Sequence, residues 1–442
     1  MKTIYSFFNS VWIEILQENN KNKSFLALVL LLVTLPISMA VNNVFLSLFF
    51  LSAVVFFNFQ NFKFNTVLII PMILFFWMVV SLFWTINTSK TLQAIPKELA
   101  LLLIPIAFMI MPAFSLSTKN KIIKYYSYSI VVYVIYFLIR AIIRYIITQN
   151  EDVFFYHGPK NDVDTGLVPR LLNAIHVSVY AAVAFFYFFI KEVKSKLDYA
   201  LSFLLFVFVI LLSSKNVIVI FVLLILIQVF FYSKIANRLR LRNISIILIV
   251  LGFIMSFSKI KERFLIEFKS NVDKNISHSV ALNKPIGVNN ISIAEAWQNS
   301  TFTPNDYFPG TAFRVYQCRL FIEFLNEESI FWKGFGLNAS QDKLLEKEKK
   351  YNLYPGYGSF NFHNQYIQNF AELGIVGFLL LILLLIINLK NALKSKDFIH
   401  IAFAVLMISL FLTESFLWRQ RGVVFFTLLY CLFNTNKNTI NE

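Results

Sequence analysis

Long apolar runs separated by short polar connections dominate the pattern of this chain. The runs of membrane-spanning length lie at 24–60, 66–86, 95–114, 122–147, 171–190, 197–213, 216–233, 243–259, 366–389, 398–413 and 418–433. A spanning helix needs about 20 largely apolar residues, and the alternating pattern of a barrel strand is absent. Counting the long first run as two spans, the pattern predicts an all-α polytopic membrane protein with about twelve transmembrane helices.

Two segments need a separate interpretation. The run 24–60 is too long for one helix, and we expect the polar pair Asn42-Asn43 to break it into a hairpin. The polar stretch 260–364 predicts one large, partly helical loop, in which Thr311–Asn326 places apolar residues at helical spacing. Glycines at 334–336 and 356–358 predict turns. We therefore expect three regions: about nine spans in 1–259, the loop 260–364, and about three spans in 365–442.

Composition and charge agree with a membrane protein. Of the 442 residues, 58% are hydrophobic, 51 are Phe and only 14% are charged, which argues against a soluble protein. The net charge of +16 is scattered through short connections rather than gathered on one face, so nucleic acid is not an expected partner. Because Lys and Arg in short loops resist translocation, these connections predict cytoplasmic termini and an external loop 260–364.

The Cys and His positions give little support for a disulfide or a metal site. Cys318 and Cys431 fall in very different surroundings and offer no disulfide framework. His157 and His176 lack partners at metal spacing, and His278 and His400 stand alone in what read as polar connections. The polar N-terminal segment lacks the features of a cleaved signal peptide. We expect no metal site and no cofactor.

Cations stand at the predicted outer ends of the spans. They are Arg140, Arg144, Arg170, Lys215, Arg419 and Arg421. A charge at the edge of hydrocarbon is costly unless it is paired or functional. These residues can reach outer headgroups or pair with Glu98, Glu372 and Glu414, but as a set they suit the binding of a pyrophosphate-bearing lipid.

His363 lies where the large loop meets a long apolar helix. A neutral imidazole can accept a proton from a hydroxyl group, so His363 is a candidate general base. The alternative is a hydrogen-bonded histidine at a membrane interface. Asn364 either contacts substrate or caps the following helix.

These residues resemble the O-antigen ligase superfamily of bacterial membrane enzymes. The resemblance rests mainly on the motif HNQYIQNFAELGIVG, which starts at His363 after the large loop. The Ser213-Ser214-Lys215-Asn216 turn is similar to a Ser-Arg turn of that family, with Lys in place of Arg. The helix with Arg314, the Gly-Phe-Gly turn after it, and the ending from Glu414 to Gly422 add support over most of the chain. Arg319 of the same helix is a further candidate for substrate binding.

The resemblance implies a function at the bacterial inner membrane. It implies metal-independent, inverting transfer of an undecaprenyl-pyrophosphate-linked glycan at the periplasmic face, with His363 activating the acceptor hydroxyl. It also implies that Arg314 and the residue at the position of Lys215 hold the pyrophosphate. Lys215 keeps the charge but loses the bidentate fork of Arg, so Arg170 is a candidate to take over that contact.

Several functions remain open at this point. A ligase that uses lipid A-core as acceptor, a polymerase that uses a second lipid-linked repeat unit, and a transferase to protein hydroxyls share the same motifs. The long loop beside His363 favours the ligase. A transporter of lipid-linked glycans is the non-enzyme alternative, although the two halves of the chain show no similarity to each other.

Overall fold

The computed structural model describes residues 2–155, 166–212, 214–233, 245, 252 and 289–435. The predicted span 243–259, apart from residues 245 and 252, and the first part of the large loop lie outside these described residues, as do His157 and His278. Helices make up nearly all the regular structure in the described ranges, and the two strands are two residues long. The all-α prediction is therefore confirmed.

The helices follow one another with short connections. They are α1 (Lys2–Lys21), α2 (Phe25–Val33), α3 (Met39–Val55), α4 (Thr66–Val80), α5 (Thr88–Glu98), α6 (Ala100–Ile110), α7 (Leu116–Thr148), α8 (Ala174–Phe189), α9 (Lys196–Leu211), α10 (Lys215–Ile227), α11 (Ile293–Gln298), α12 (Gly310–Glu327), α13 (Ser340–Lys350), α14 (Gln365–Ser395), α15 (Phe398–Leu410) and α16 (Gln420–Asn434). Strands β1 (Asn289–Asn290) and β2 (Asp306–Tyr307) pair in parallel. Short turns of helix lie at Phe59–Asn61, Ser81–Phe83, Glu151–Phe154, Arg170–Leu172, Gln228–Tyr232, Tyr357–Ser359 and Phe416–Trp418.

Several helical segments have the length and composition of membrane spans. Among the described residues, five qualify: Thr66–Phe83, Thr88–Ile110, Leu116–Thr148, Lys215–Tyr232 and Gln365–Ser395. Shorter apolar helices are Met39–Val55, Ala174–Phe189 and Phe398–Leu410. These helices indicate an integral membrane protein. The total of twelve spans stays a prediction.

The predicted hairpin in residues 24–60 is present, but its break lies elsewhere. Helix α2 ends at Val33 and α3 begins at Met39, so Asn42 lies inside α3. The Asn42 side chain donates to Leu31 O and Thr34 Oγ1, at 3.0 and 3.1 Å. The prediction that Asn42-Asn43 forms the break was wrong because this amide stabilises the hairpin from within a helix.

Helices α8 and α16 lie in the interior of the bundle. Nearly every residue of each is buried, which is the pattern of a helix surrounded by other helices. The core around them is rich in phenylalanine. Phe221 of α10, for example, meets Phe185 of α8 with ring centroids 4.7 Å apart. Aromatic side chains therefore pack beside the aliphatic ones throughout this core.

A second hydrophobic core forms a lobe at one end of the bundle. We call residues 289–362 the lobe; its centre includes Phe302, Phe308, Tyr316 and Phe324. The prediction of a helix at Thr311–Asn326 is confirmed by α12, which supplies two of these side chains. The same core reaches Ala371 in the first turns of α14. The lobe is thus continuous with the helix that follows it.

Two glycines allow the lobe to cross α14 at backbone distance. Gly334 and Gly374 have φ values of +68° and +66°. A Cβ on Gly334 would overlap the backbone of Glu372, and one on Gly374 would overlap the backbone of Trp332. Phe335 N donates to Ala371 O at 2.8 Å, which satisfies a carbonyl that the non-helical residue Gly374 leaves open. The prediction of a turn at 334–336 is confirmed, and its role is to fit this crossing.

Hydrogen bonds from the segment after α4 and from α5 connect the lobe to the bundle. Trp84 Nε1 donates to Lys333 O at 2.7 Å, and Thr91 Oγ1 donates to Leu337 O at 2.8 Å. Lys90 of α5 forms an ion pair with Asp342 of α13. These contacts place the end of the lobe, and therefore His363, over one end of the bundle, which we call the lobe end.

Candidate functional site

The candidate site is organised by the segment 411–419 between α15 and α16, which we call the 411–419 turn. Three contacts from the start of α14 hold it. Gln365 N donates to Phe411 O at 2.8 Å, Asn364 Nδ2 donates to Leu412 O at 3.2 Å, and Leu417 N donates to Gln365 Oε1 at 2.7 Å. Because α14 starts two residues after His363, these hydrogen bonds place the turn beside His363.

Two further helices meet at Thr413 in the same turn. Arg314 of α12 donates through Nε to Thr413 O at 3.0 Å and through Nη1 to Gly310 O at 2.9 Å. Asn216 of α10 donates to Thr413 Oγ1 at 2.7 Å. Lys215, which precedes Asn216, therefore begins its helix close to the place where Arg314 is held. Arg314, the start of α10 and the residues directly after His363 therefore all contact this one turn.

The His363 ring has a fixed tautomer. Its Nδ1 lies 2.9 Å from Asn361 O, and its backbone N donates to Asn361 Oδ1 at 3.0 Å. A carbonyl oxygen can only accept, so Nδ1 carries the proton and Nε2 of the neutral ring carries the lone pair. The backbone of His363 has φ +47°, an uncommon conformation for a residue with a side chain. The surrounding structure therefore holds the ring in one orientation with its basic nitrogen defined.

Burial and charge keep the imidazole neutral. Burial lowers the pKa of His363, and the positive charges of Arg314 and Arg419 lower it further, whereas Glu414 and the hydrogen bond to Asn361 act in the opposite direction. The rings of Phe313 and Phe360 meet the imidazole edge to face, at 5.6 and 5.7 Å. At neutral pH this histidine can accept a proton, as a general base must.

Asn364 caps α14. Its Oδ1 accepts from Tyr366 N and Ile367 N at 2.9 and 3.1 Å, and its amide nitrogen contacts Leu412 O. Both ends of the side chain therefore act on the backbone, which is the capping role considered in the sequence. A contact between Asn364 and substrate stays a prediction.

Arg319 lies in a different network from Arg314, although both belong to α12. It forms an ion pair with Glu323 at 2.9 Å and lies over the Tyr351 ring. Although burial works in the opposite direction, hydrogen bonds from Lys347, Tyr351 and Arg319 hold the pKa of Glu323 below its ordinary value. These partners all belong to the lobe, so the structure does not bring Arg319 to the 411–419 turn.

Arg419 and Arg421 end the 411–419 turn and begin α16. Arg419 is exposed, whereas Arg421 is only 8% exposed. Arg421 Nη1 donates to Leu171 O at 2.6 Å and Nη2 donates to Ile37 O at 2.7 Å. The buried arginine therefore joins three separate segments of the bundle.

The remaining predicted cations lie along α7 and at the start of the segment before α8. Arg140 Nη1 contacts Gly166 O and Leu167 O at 3.4 and 3.5 Å, and Arg144 is half-buried one turn later. Arg170 opens the turn Arg170–Leu172. Their role in substrate binding stays a prediction.

Reasoning from the sequence missed several residues of this site. Thr413 acts through carbonyl and hydroxyl contacts that no motif marks. The sequence indicates Asn216 only as part of the turn that contains Lys215, and Glu414 only as a partner for an arginine and as the start of the ending that resembles the family. His400 was assigned to a polar connection, which was wrong. It is buried in the first turn of α15, where Nε2 lies 2.9 Å from Asn388 Oδ1. An amide on the preceding helix, 12 residues earlier in the chain, gives no signal for that pairing.

Comparison with known families gives one match. Residues 200–382 match the family model described as O-antigen ligase. The matched segment includes Lys215, Arg314, Arg319, His363 and Asn364, and it ends before Arg419 and Arg421. No curated protein matches the chain.

Proposed function

Because residues 200–382 match the O-antigen ligase family model, we propose a specific reaction. The protein transfers a glycan from undecaprenyl pyrophosphate to a hydroxyl group of lipid A-core, in the manner of an O-antigen ligase. It lies in the bacterial inner membrane with both termini in the cytoplasm and the lobe in the periplasm. The observation that carries the proposal is the oriented, neutral His363 beside Arg314.

In the proposed reaction a general base activates the acceptor and cations stabilise the leaving group. Nε2 of His363 takes the proton of the acceptor hydroxyl while that oxygen attacks the anomeric carbon from the side opposite the leaving group. The bond between the anomeric carbon and the pyrophosphate oxygen breaks, and its electron pair stays on the pyrophosphate. Arg314 and Lys215 stabilise the negative charge that develops there. One displacement of this kind inverts the anomeric configuration.

The position of Arg314 supports this division. Its guanidinium is oriented by two main-chain carbonyl groups, so it needs little reorganisation when charge develops. Its charge also lowers the pKa of His363, which keeps the base unprotonated before reaction. One residue therefore serves both the leaving group and the base.

Transfer by the purified protein tests the proposal. Wild-type protein receives an undecaprenyl-pyrophosphate oligosaccharide with lipid A-core, with a second donor molecule, or with a hydroxyl-bearing protein. We expect product on lipid A-core and a loss of about 10²- to 10⁴-fold in His363→Gln, the usual contribution of a general base. His400→Gln is the matched control, because its amide can keep the contact with Asn388.

Other results of this transfer assay would favour the alternative functions. Extension of the donor would make the protein a polymerase, and product on the protein acceptor would make it an O-oligosaccharyltransferase. Full activity in His363→Gln would contradict the role of this residue. Absence of transfer to every acceptor, together with donor movement across proteoliposomes, would favour the transporter.

A further inference from the structure

Three apolar helices begin close together at the lobe end of the bundle. Helix α3 starts two residues after Ile37, α8 starts three residues after Leu171, and α16 starts at Gln420. Arg421 connects them by donating to the carbonyl groups of Ile37 and Leu171. Helix N-termini carry partial positive charge and open N–H groups. We call this junction the three-helix corner.

His176 is buried in the three-helix corner without a partner. It lies in the first turn of α8, is 1% exposed, and stacks on Phe416 with ring centroids 4.1 Å apart. Neither its Nδ1 nor its Nε2 has a hydrogen-bond partner among the described residues. Nε of Arg421 is also buried and unpartnered there. Three nitrogen atoms that ordinarily form hydrogen bonds are therefore left open in one place.

These open nitrogens indicate the chemistry of a missing partner. Buried polar groups are nearly always hydrogen-bonded, so such a cluster calls for a bound group. Nε of Arg421 and the protonated nitrogen of His176 are donors, and a ligand must therefore offer acceptors. Both Arg419 and Arg421 act electrostatically on His176, which favours an anion over a neutral acceptor. Phosphate oxygens meet these requirements, and helix N-termini bind phosphate readily.

We infer that the three-helix corner binds a phosphate group of a lipid, with His176 and Arg421 as its buried donors and Arg419 at its rim. The corner lies at the end of the apolar helices, where a membrane presents lipid phosphates. Two sources share this chemistry: the polyprenyl carrier of the donor glycan and an ordinary phospholipid.

Access to the corner involves the 411–419 turn. Phe416 stacks on the His176 ring and both side chains are buried, so the turn Phe416–Trp418 must shift to admit a phosphate. The next residue, Leu417, donates to Gln365 at the start of α14, two residues after His363. Binding in the corner therefore acts on the same turn that holds the candidate base.

Lipid binding by the purified protein tests this inference without any turnover. Native mass spectrometry measures binding of undecaprenyl phosphate, phosphatidylglycerol and the phosphate-free undecaprenol. We expect His176→Phe to weaken binding of a phosphate lipid about 10- to 100-fold, the loss of one hydrogen bond to a charged group. Its melting temperature should stay equal or rise, because phenylalanine keeps the stacking and removes two unsatisfied nitrogens. His176→Gln, which retains a donor, should bind better than His176→Phe.

His400→Phe is the matched control. His400 is also buried and stacked on a phenylalanine, with centroids 4.7 Å apart, but its Nε2 has a partner. It should bind both phosphate lipids like wild type. A defect of His176→Phe for undecaprenyl phosphate alone identifies the carrier as the ligand, and one for phosphatidylglycerol alone identifies a phospholipid. Wild-type binding of both by His176→Phe and His176→Gln would overturn the inference, while the transfer proposal would stand or fall by its own assay.

Discussion

Polar side chains near the two ends of α15 have different kinds of hydrogen-bond partner. At the end away from the lobe, side chains bind one another: His400 contacts Asn388 at 2.9 Å, Asn434 donates to Asn388 at 2.9 Å, and Asn391 donates to Asn434 at 2.7 Å. At the lobe end, Arg314, Asn364 and Arg421 donate to main-chain carbonyl groups. His176 at that end has no partner among the described residues.

This difference indicates a structural network at the end away from the lobe and a candidate site at the lobe end. Side chains that bind one another stabilise helix packing and need nothing further. The cations at the lobe end are oriented by main-chain carbonyl groups, and a carbonyl neutralises less charge than a carboxylate does. Cations that are oriented in this way suit the electrostatic stabilisation of an anion.

The largest expected effect is a difference between the two arginines of α12. We expect Arg314→Gln to lower the rate of glycan transfer about 10²- to 10³-fold, because it removes an oriented charge beside the leaving group. Arg319→Gln, five residues later, should leave transfer within about tenfold and lower the thermal stability of the lobe, since its partner is Glu323. Steady-state transfer rates and melting temperatures measure both. Equal losses of transfer in the two variants would contradict the assignment.

The next effect concerns the crossing of the lobe and α14. Gly374→Ala should destabilise the protein by about 2–4 kcal/mol, because it combines a positive φ with backbone overlap at Trp332. Gly356→Ala is the control, since Gly356 also has positive φ but has open space around it. It should cost about 1–2 kcal/mol from backbone strain alone. Thermal or denaturant unfolding distinguishes the two, and similar losses would mean that the crossing tolerates a side chain.

A smaller effect tests the network at the opposite end of α15. His400→Phe should lower the free energy of unfolding by about 1–3 kcal/mol, because Asn388 loses a buried partner. Transfer by the folded variant should match wild type. An increase in stability would show that packing of this ring outweighs its hydrogen bond.

The smallest effect is a displacement of the pH profile. His363 acts as a base only when neutral, so the transfer rate should rise with pH through its pKa, which burial places below 6.5, and then level off. Glu414→Gln removes a charge that raises this pKa and should move the rise to lower pH. Arg419→Gln removes a charge that lowers it and should move the rise to higher pH. Shifts in the same direction in both variants would exclude His363 as the titrating group.

Much of the fold was predictable because membrane helices obey simple local rules. An apolar run of sufficient length must form a helix in hydrocarbon, since backbone groups find no other partners there. The hairpin of α2 and α3, the helix Gly310–Glu327 and the turn at 334–336 were all read from such local patterns. The position of the hairpin break was misread, because a polar residue inside a helix and one in a turn look alike until its partners are known.

The sequence by itself determined the all-α membrane class, the family resemblance and the prominence of His363, because each depends on residue type and short-range order. Only the tertiary structure decided that Arg314 and Arg319 have different partners, and that Thr413 joins three helices. It also decided that His176 is buried with no hydrogen-bond partner among the residues that the structure describes. The physical reason is that hydrogen bonds and burial depend on distances between segments far apart in the chain. Packing alone sets those distances.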